Sequence, residues 1–520
     1  MLKKMFFLFI MLGTLLLPSY QKEQNKPMNT LKINFQEGDL PSLHPHALMI
    51  YLRGISVAKT LFECLTRIDE KGEAQLAGAK SVEISTDRLR YTFTLRNNKW
   101  SNGTPVTAFQ YENAWKEALS PSSNCSRAEL LYMILNAAEA KKGAVSLDSV
   151  GVKALSDNVL TVTLAYPSPY FLELLAQPIC APLIDPKKKE PSEFNGPFYV
   201  AEWKHGDSLQ LEPNTHYWDS KHVFLKKIDI FMLQDVTTPL YLYEKGELDW
   251  VGVPLSPLSS EQINHLKKGV ALRSHPVDRA FWIFLNTQLP SLSSSSIRKA
   301  LSLSIDRSAI TKHLLIGGQP LAKPIPSALQ PLATSSILKE DLQEAKRYLE
   351  LGLKELGFTK DTLPPLVITY SQQANRKQVA EYLQEAWSRA LGIKVQLKAE
   401  EWNVLRCNLE KGLFEISGCF EAAFYKDPME LLERLATINS GNFPKWVYLP
   451  FSEKIYLAKK EKDPKARMQL LKQAEEILME QMPFIPVSGD TLLFAHHPQL
   501  KGYAFDYVGA VDFSRARFSD

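Results

Sequence analysis

The sequence predicts an α/β protein with at least two lobes. Its 520 residues exceed what one ordinary hydrophobic core holds. A strand, a turn and a helix are indicated in succession between residues 89 and 119, and residues 365–400 carry the strand, helix, strand order of a parallel crossover unit. These observations favour mixed secondary structure divided among several structural units.

The first clear element is LRYTFTL at 89–95, where apolar and polar residues alternate as in a half-buried strand. A turn is predicted at Asn102-Gly103. Thr107 then precedes Gln110 by three residues, which is the spacing of a capping box at the start of a helix. The apolar side of that helix is predicted to contain Phe109, Tyr111, Trp115, Ala118 and Leu119.

The middle of the chain continues this mixture. LTVTLAYPSPYFLELLA at 160–176 predicts a strand and then a short helix, and further strands are predicted in SLQLEPNTHYW at 208–218 and AFWIFLNT at 280–287. SLSSSS at 291–296 is predicted to be a loop, and the apolar spacing of residues 297–315 is typical of a helix.

Helix start and stop signals are clearest near the C-terminus. Residues 341–358 predict a helix that begins at the cap residue Asp341 and ends near Gly357. The dipeptide Asp463-Pro464 predicts the start of a last long helix that reaches Gln481.

The N-terminus has the layout of an export signal. Lys3 and Lys4 precede an apolar run from Met5 to Leu17, which is too short for a comfortable membrane span. We therefore predict a signal peptide at residues 1–20, with an uncleaved N-terminal anchor as the alternative. A lipid anchor is not expected, because no cysteine lies near the end of the run.

Charge and cysteine content exclude several classes. The 61 basic and 57 acidic residues nearly balance, so nothing favours a nucleic-acid partner. Five cysteines in so long a chain do not form a disulfide scaffold. Cys407 and Cys419 either pair with each other or remain buried thiols.

Signatures of catalysis are absent from the sequence. It contains no HExxH, P-loop, GxGxxG or GxSxG pattern, so we predict neither an enzyme nor a cofactor. For a large exported α/β protein without catalytic motifs, the simplest expectation is that it binds a solute and delivers it to another protein.

Several blocks, in order, resemble one family: LFECLTRIDEKGEAQLAGAKSVEIS, LRYTFTLRNNKWSNGTPVTAFQYENAWKEAL, NGPFYVAEW, PNTHYWD, YEKGELDW, IRKALSLSIDRSAI and MPFIPV. They are similar to the extracellular solute-binding proteins of oligopeptide and dipeptide ABC importers, the large family 5 type. The resemblance implies a type II periplasmic-binding-protein clamshell of three lobes with a two-strand hinge. It places lobe I at 29–75, 190–272 and 490–520, lobe II at 76–189 and lobe III at 273–489.

The resemblance also implies where a peptide binds. The lobe I strand that pairs with the ligand falls on Glu63, Cys64 and Leu65, with Cys64 where the family commonly has glycine. The lobe III strand falls on Phe420, Glu421 and Ala422. Two nearby aromatic residues, Trp282 and Tyr425, are predicted to belong to the core or to line the cleft.

This sequence departs from the well-known oligopeptide binders at their charged anchors. Phe424 replaces the aspartate that captures the peptide's α-amino group, and Glu421 replaces a tryptophan beside the ligand. Two arginines of those binders are replaced by Gly418 and Leu409. A buried ammonium without a partner is costly. Either Glu421 and Arg406 restore the two charges, or the ligand is not an ordinary peptide.

The expected function is capture of oligopeptides in the periplasm by a monomeric protein that delivers them to ABC permease subunits in the inner membrane. Within the same class, the alternatives are murein-derived peptides, another small charged solute or a metal chelate. A secreted peptidase is the alternative from another class. A surface interaction protein that has lost transport would have a cleft filled by its own side chains, most visibly at Cys64 and Phe424.

Overall fold

The structure is a computed structural model that describes residues 29–36, 38–269, 272–326, 329, 339–372, 375–439 and 441–519. The predicted signal peptide at 1–20 lies outside the described residues. Within the described ranges helices and strands mix along the whole chain, as the α/β prediction requires.

The strands, in chain order, are β1 Thr30–Asn34, β2 Thr66–Ile68, β3 Ala74–Leu76, β4 Ala79–Ile84, β5 Arg90–Leu95, β6 Val152–Ser156, β7 Val159–Thr163, β8 Phe198–Lys204, β9 Ser208–Pro213, β10 Lys227–Phe231, β11 Trp250–Gly252, β12 Arg273–Leu285, β13 Gln319–Pro320, β14 Leu366–Ser371, β15 Val395–Glu400, β16 Ile416–Ala422, β17 Phe484–His496, β18 Leu500–Lys501, β19 Ala504–Phe505, β20 Val511–Asp512 and β21 Arg517–Phe518.

The α-helices, in chain order, are α1 Leu52–Leu61, α2 Ala108–Ala118, α3 Ala137–Lys141, α4 Phe171–Leu174, α5 Thr238–Glu244, α6 Ser260–Lys268, α7 Pro290–Ser293, α8 Ser295–Leu303, α9 Arg307–His313, α10 Leu342–Leu356, α11 Arg376–Leu391, α12 Trp402–Lys411, α13 Met429–Leu432, α14 Leu449–Lys460 and α15 Pro464–Gln481.

Three larger sheets organise the described residues. The first has the order β1-β10-β9-β8, with β1 parallel to β10, and the second is the antiparallel sheet β4-β5-β7-β6. The third has seven strands in the order β11-β17-β12-β16-β14-β15, with β13 also paired to β17. This seven-stranded sheet carries the strand edge described below.

Several local predictions are confirmed. β14 and β15 are parallel and joined by α11, and α10 begins after Asp341 and ends at Gly357, whose φ of +71° is one that glycine adopts without strain. The cap residue Thr107 precedes α2, and its N–H donates to Gln110 Oε1 at 2.9 Å. Trp115 is fully buried in α2, whereas Phe109 is 44% exposed and does not belong to the apolar side predicted for it.

Two predictions between residues 290 and 315 are wrong. The loop predicted at 291–296 instead contains the end of α7 and the start of α8, separated by Ser294. Ser294 Oγ accepts hydrogen bonds from two N–H groups at the start of α8 and so caps that helix. The single helix predicted over 297–315 is divided into α8 and α9. Asp306 Oδ1 accepts from the Ala309 N–H at 2.9 Å and so caps a second helix.

Strand β12 separates two hydrophobic cores. Phe281, Ile283 and Leu285 pack into one core, and Trp282 and Phe284 pack into the other. This alternation follows from the two-residue period of a strand. Its pairing with the neighbouring strand β17 is interrupted between Pro276 and Ala280. Asp278 lies within this interruption.

Candidate functional site

One edge of β16 has no strand partner for most of its length. β16 pairs with β12 from Ile416 to Ala422, but on its other side β14 pairs with it only at Ile416, among the residues that the structure describes. The outer edge from residue 417 to 422 is therefore open. An open edge offers main-chain groups to an extended ligand.

The main-chain groups on this edge can be assigned from one hydrogen bond. The Ala423 N–H donates to Asp278 O at 2.8 Å and so faces β12. Because antiparallel strands alternate the side to which their main-chain groups point, Glu421 also faces β12, and Phe420 and Ala422 face the open edge. Arg434 Nη2 donates to Ala422 O at 2.8 Å and occupies that acceptor. The predicted Glu421 main chain is thus not available to a ligand, whereas that of Phe420 is.

Residues 63–65, the second predicted strand, are not a strand in the structure, because β2 begins at Thr66, and their main-chain groups are largely occupied. The N–H and carbonyl of Glu63 both bond to the Asn195 side chain, at 3.0 and 2.9 Å, and its carbonyl also accepts from Tyr111. The carbonyls of Cys64 and Leu65 accept from residues 77–79. Only the N–H groups of Cys64 and Leu65 lack a partner among the described residues, which corrects the prediction for Glu63.

The Glu63 carboxylate is also held inside the protein. It forms a salt bridge with Arg67 at 3.1 Å and accepts hydrogen bonds from Tyr217 and Trp218. Burial raises the pKa of Glu63, and the positive charge of Arg67 opposes that shift. The Glu63 carboxylate therefore links Arg67, which lies on β2, to Tyr217 and Trp218.

Gln177 connects the two predicted ligand-binding strands. The Cys64 Sγ donates to Gln177 O at 3.3 Å, and Gln177 Nε2 donates to Phe424 O at 3.0 Å. Gln177 is fully buried, and its Oε1 has no partner in the described part of the chain. Burial raises the pKa of the Cys64 thiol to about 12, so this cysteine is not a nucleophile near neutral pH.

Phe424 and Tyr425, two of the predicted ligand-binding residues, contact side chains of the segment 76–189, which also contains Gln177. The Arg127 guanidinium lies 4.6 Å from the centre of the Phe424 ring. Tyr425 stacks on Tyr170 at 4.0 Å with an interplanar angle of 2°. Cys64 and Phe424 are both buried among other residues of the chain.

The expected charge compensation by Glu421 and Arg406 is not formed. Arg434 pairs with Glu421 and also with the buried Glu430, and Arg127 lies 3.7 Å from Glu430, so the negative charge of Glu421 already has a partner within the protein. Arg406 forms a salt bridge with Glu410 at 3.1 Å on the same helix, α12. Both predicted residues are neutralised within their own segment.

Trp282 is a core residue, and no disulfide joins the predicted cysteine pair. Trp282 is 2% exposed and stacks on Phe484 at 4.0 Å, so it lies away from the open edge. Cys407 is an exposed thiol on α12, and Cys419 is a buried thiol on β16; both are free.

Three residues at this site were missed by the sequence reasoning. Arg376 lies 5.0 Å from the Phe281 ring and 4.9 Å from the Phe420 ring, and it forms no salt bridge with any described residue. Burial lowers its pKa to about 10, which leaves it cationic near neutral pH. Asp278 and Gln177 are the others. Only Asp278 left a signal, as an acidic residue two positions before the apolar strand predicted at 280–287.

The arrangement of sheets is that of solved solute-binding proteins. The murein tripeptide binding protein MppA of Escherichia coli matches with a TM-score of 0.85 at 26% identity, over 95% of this chain and 99% of that one. OppA of Haemophilus influenzae in complex with RPPGFSPFR matches with a TM-score of 0.83 at 25% identity, over 96% and 100%. The class is therefore the type II periplasmic binding proteins, as predicted.

The chain belongs to the bacterial extracellular solute-binding proteins, family 5. The model of this family's middle region matches residues 73–443. The oligopeptide-binding protein OppA of Bacillus subtilis (strain 168) is 37% identical over 514 residues, which cover 96% of this chain and 94% of that protein. The family predicted from the sequence blocks is confirmed. None of the helices in the described ranges has both the length and the apolar character of a membrane span.

Proposed function

We propose that this protein is the exported ligand-binding component of an ABC importer for oligopeptides. The observation that carries the proposal is the open edge of β16, where the outward-facing main-chain groups of Phe420 have no strand partner among the described residues. An extended peptide completes such an edge by main-chain hydrogen bonds. The similar proteins of Bacillus subtilis and Haemophilus influenzae are described as oligopeptide-binding and as bound to a nonapeptide.

The lobes are proposed to follow the boundaries predicted from the sequence. Segments 76–189 and 273–489 meet at the Gln177–Phe424 hydrogen bond and at the Tyr170–Tyr425 stack. The long strand β12 begins at the proposed boundary after residue 272, and the long strand β17 crosses the proposed boundary between residues 489 and 490. They are the proposed hinge, about which the lobes open to admit a ligand.

The ligand's side chains contribute little to affinity in this arrangement, because the bonds are made by its main chain. Its carboxylate end is proposed to meet Arg376, the cation beside Phe420 that has no salt bridge in the described residues. We further propose that the protein acts as a monomer in the periplasm and delivers peptide to permease subunits in the inner membrane.

The proposal is tested by isothermal titration of ligand-stripped protein with tri-, tetra- and penta-alanine. Phe420→Pro removes the outward N–H and the ring, whereas the matched variant Phe420→Ala removes the ring alone. We expect the proline variant to bind at least about tenfold more weakly than the alanine variant. Absence of binding by the wild type, or equal affinities for the two variants, would contradict the proposal.

A second candidate ligand is a murein-derived peptide. It is favoured by the match to the murein tripeptide binding protein, which has a TM-score of 0.85. Titration with a tripeptide that contains diaminopimelate, beside tri-alanine, separates the two. Tighter binding of the diaminopimelate peptide assigns the murein class.

A further inference from the structure

Three parts of the chain that belong to different proposed lobes meet at Asp278. The Asp278 N–H donates to Tyr507 O at 2.9 Å, and the Asp278 carbonyl accepts the Ala423 N–H at 2.8 Å. Beside them, Glu173 accepts the Lys426 N–H at 2.7 Å. These five residues, which we call the junction, therefore hold the three proposed lobes together.

The Asp278 carboxyl group is buried inside the junction. Asp278 is 4% exposed, and its Oδ1 has no hydrogen-bond partner in the described part of the chain. It lies where the pairing of β12 with β17 is interrupted, and these two strands are the proposed hinge. A buried carboxylate without a donor is costly, whereas a protonated carboxyl group carries no charge to desolvate. The proposed hinge therefore contains a group that is buried more easily with a proton than without one.

The charged groups around Asp278 leave a net negative charge when all of them are ionised. Glu173 and Asp506 disfavour the ionised form of Asp278, and Lys426 opposes them. Asp506 pairs with Lys59 at 3.2 Å. Three carboxylates therefore face two lysines, and a proton on Asp278 balances the charges.

The other titratable groups around Asp278 do not supply this balance. The acidic residues of the two strands that flank β12 each have an arginine partner: Asp490 with Arg279, and Glu421 with Arg434. Burial raises the pKa of Tyr507 far above its usual range, so its phenol stays neutral. The ring centres of His275 and Phe505 lie 4.5 Å apart, and burial lowers the pKa of His275 below 6.5, so this histidine is mostly neutral near pH 7.

We propose that the junction is a pH-sensitive switch for closure of the lobes. With Asp278 protonated, the three carboxyl groups are buried together and the lobes stay closed. When that proton is lost, mutual repulsion of the carboxylates favours separation of the lobes. This inference rests on the lobes and hinge of the proposed function, but it concerns the chain without ligand and does not depend on which solute is bound.

The direction of the pH effect follows from the pKa of Asp278. Burial raises this pKa from its usual 3.8 to about 7 in the closed arrangement, and Glu173 and Asp506 add to the rise. When the junction opens, water reaches the carboxyl group and its pKa returns toward the usual value. The closed arrangement therefore holds a proton that the open one releases. Closure is fully favoured below the usual pKa and is weakened as the pH rises through about 7.

The test is small-angle scattering of the ligand-stripped protein at about pH 6 and about pH 8. Between these values the ratio of closed to open wild-type protein should fall about tenfold, so its radius of gyration should rise. Asp278→Asn keeps the shape of the side chain and has no proton to lose, so its radius of gyration should stay constant. Glu173→Gln removes a neighbouring negative charge and should make the rise smaller and move it to lower pH.

Glu475→Gln is the matched control. Glu475 is also a buried carboxyl with one unpaired oxygen in the described residues and a pKa raised by burial to about 7, but it lies on α15. This variant should keep the wild-type pH response.

The switch is overturned if the wild type has the same radius of gyration at both pH values, or if Asp278→Asn expands as the wild type does. No peptide is present in this experiment, so failure of the switch leaves the proposed peptide binding intact. Failure of peptide binding in the titrations likewise leaves the switch intact.

Discussion

The side-chain amide of Gln177 donates a 3.0 Å hydrogen bond to the carbonyl oxygen of Phe424, and so joins segments that lie 247 residues apart in the sequence. The bond is buried and lies beside the Tyr170–Tyr425 stack. It closes the end of the open β16 edge. In the proposed clamshell it links the two halves that must separate to admit a ligand.

Gln177→Ala is therefore expected to shift the protein toward an open form. Losing one buried hydrogen bond costs about 1 kcal/mol, which corresponds to a roughly fivefold weaker affinity for tri-alanine. Small-angle scattering of the ligand-free variant should give a larger radius of gyration. Gln288→Ala is the control, because that amide bonds to Lys445 O on the exposed surface, away from the edge. Equal effects of the two variants would contradict this role.

Arg434 is expected to be needed for stability. It pairs with Glu421 and with the buried Glu430. Burial raises the pKa of Glu430, and the positive charge of Arg434 opposes that rise. Arg434→Met leaves Glu430 without its main partner and should lower the free energy of unfolding by about 3 kcal/mol, measured by urea denaturation. Arg347→Met removes an exposed salt bridge and serves as the comparison, for which little change is expected. A similarly small effect of Arg434→Met on the free energy of unfolding would show that the pairing of Arg434 with Glu421 and Glu430 is not needed for stability.

Trp282 is expected to act through packing. Trp282→Ala should cost about 3–5 kcal/mol of unfolding free energy, because a ring that is 2% exposed and stacked on Phe484 is lost. Trp282→Phe keeps an aromatic ring and removes an indole N–H that has no partner in the described residues, so it should cost less than about 1.5 kcal/mol. Peptide affinity of the phenylalanine variant should match the wild type. Lost affinity at unchanged stability would instead place Trp282 against the ligand.

Glu475 should make stability depend on pH. Burial raises its folded-state pKa to about 7, so the folded state holds a proton that the unfolded chain has released. Stability conferred by that proton is complete below the unfolded pKa and is lost as the pH rises through about 7. Relative to the wild type, Glu475→Gln should gain about 3 kcal/mol between those limits.

Urea denaturation at several pH values measures this difference. Glu480→Gln, an exposed position on the same helix, controls for general charge effects. A constant difference between Glu475→Gln and the wild type across the pH range would contradict the raised pKa.

Much of the fold was predictable because its signals are local. The alternation of β5, the cap at Asp341, the glycine at 357 and the Asp463-Pro464 start of α15 each lie within a few residues of the structure they specify. The two errors near residue 300 have a local cause as well. Serine hydroxyl groups and aspartate carboxylates cap helices, and the same residues are favoured in loops. Composition alone therefore did not distinguish a cap from a loop.

The site was less predictable, because its contacts join distant segments. Gln177 meets Phe424, Asp278 meets Ala423, and Arg434 meets Glu421, and no spacing in the sequence indicates these pairs. The family resemblance located the β16 strand correctly. Which of its main-chain groups face outward depends on its register with β12, which only the structure supplies.

Whether a peptide is held by its main chain on the β16 edge is measured by titrating the protein with tri-alanine and with its two singly N-methylated forms. We expect at least one N-methylation to weaken binding by about tenfold or more, because it removes an N–H donor and crowds the strand edge. Replacing alanine side chains by serine or leucine should change affinity far less. Equal affinity for tri-alanine and both N-methylated forms, or no binding of tri-alanine, would contradict main-chain binding of a peptide on this edge.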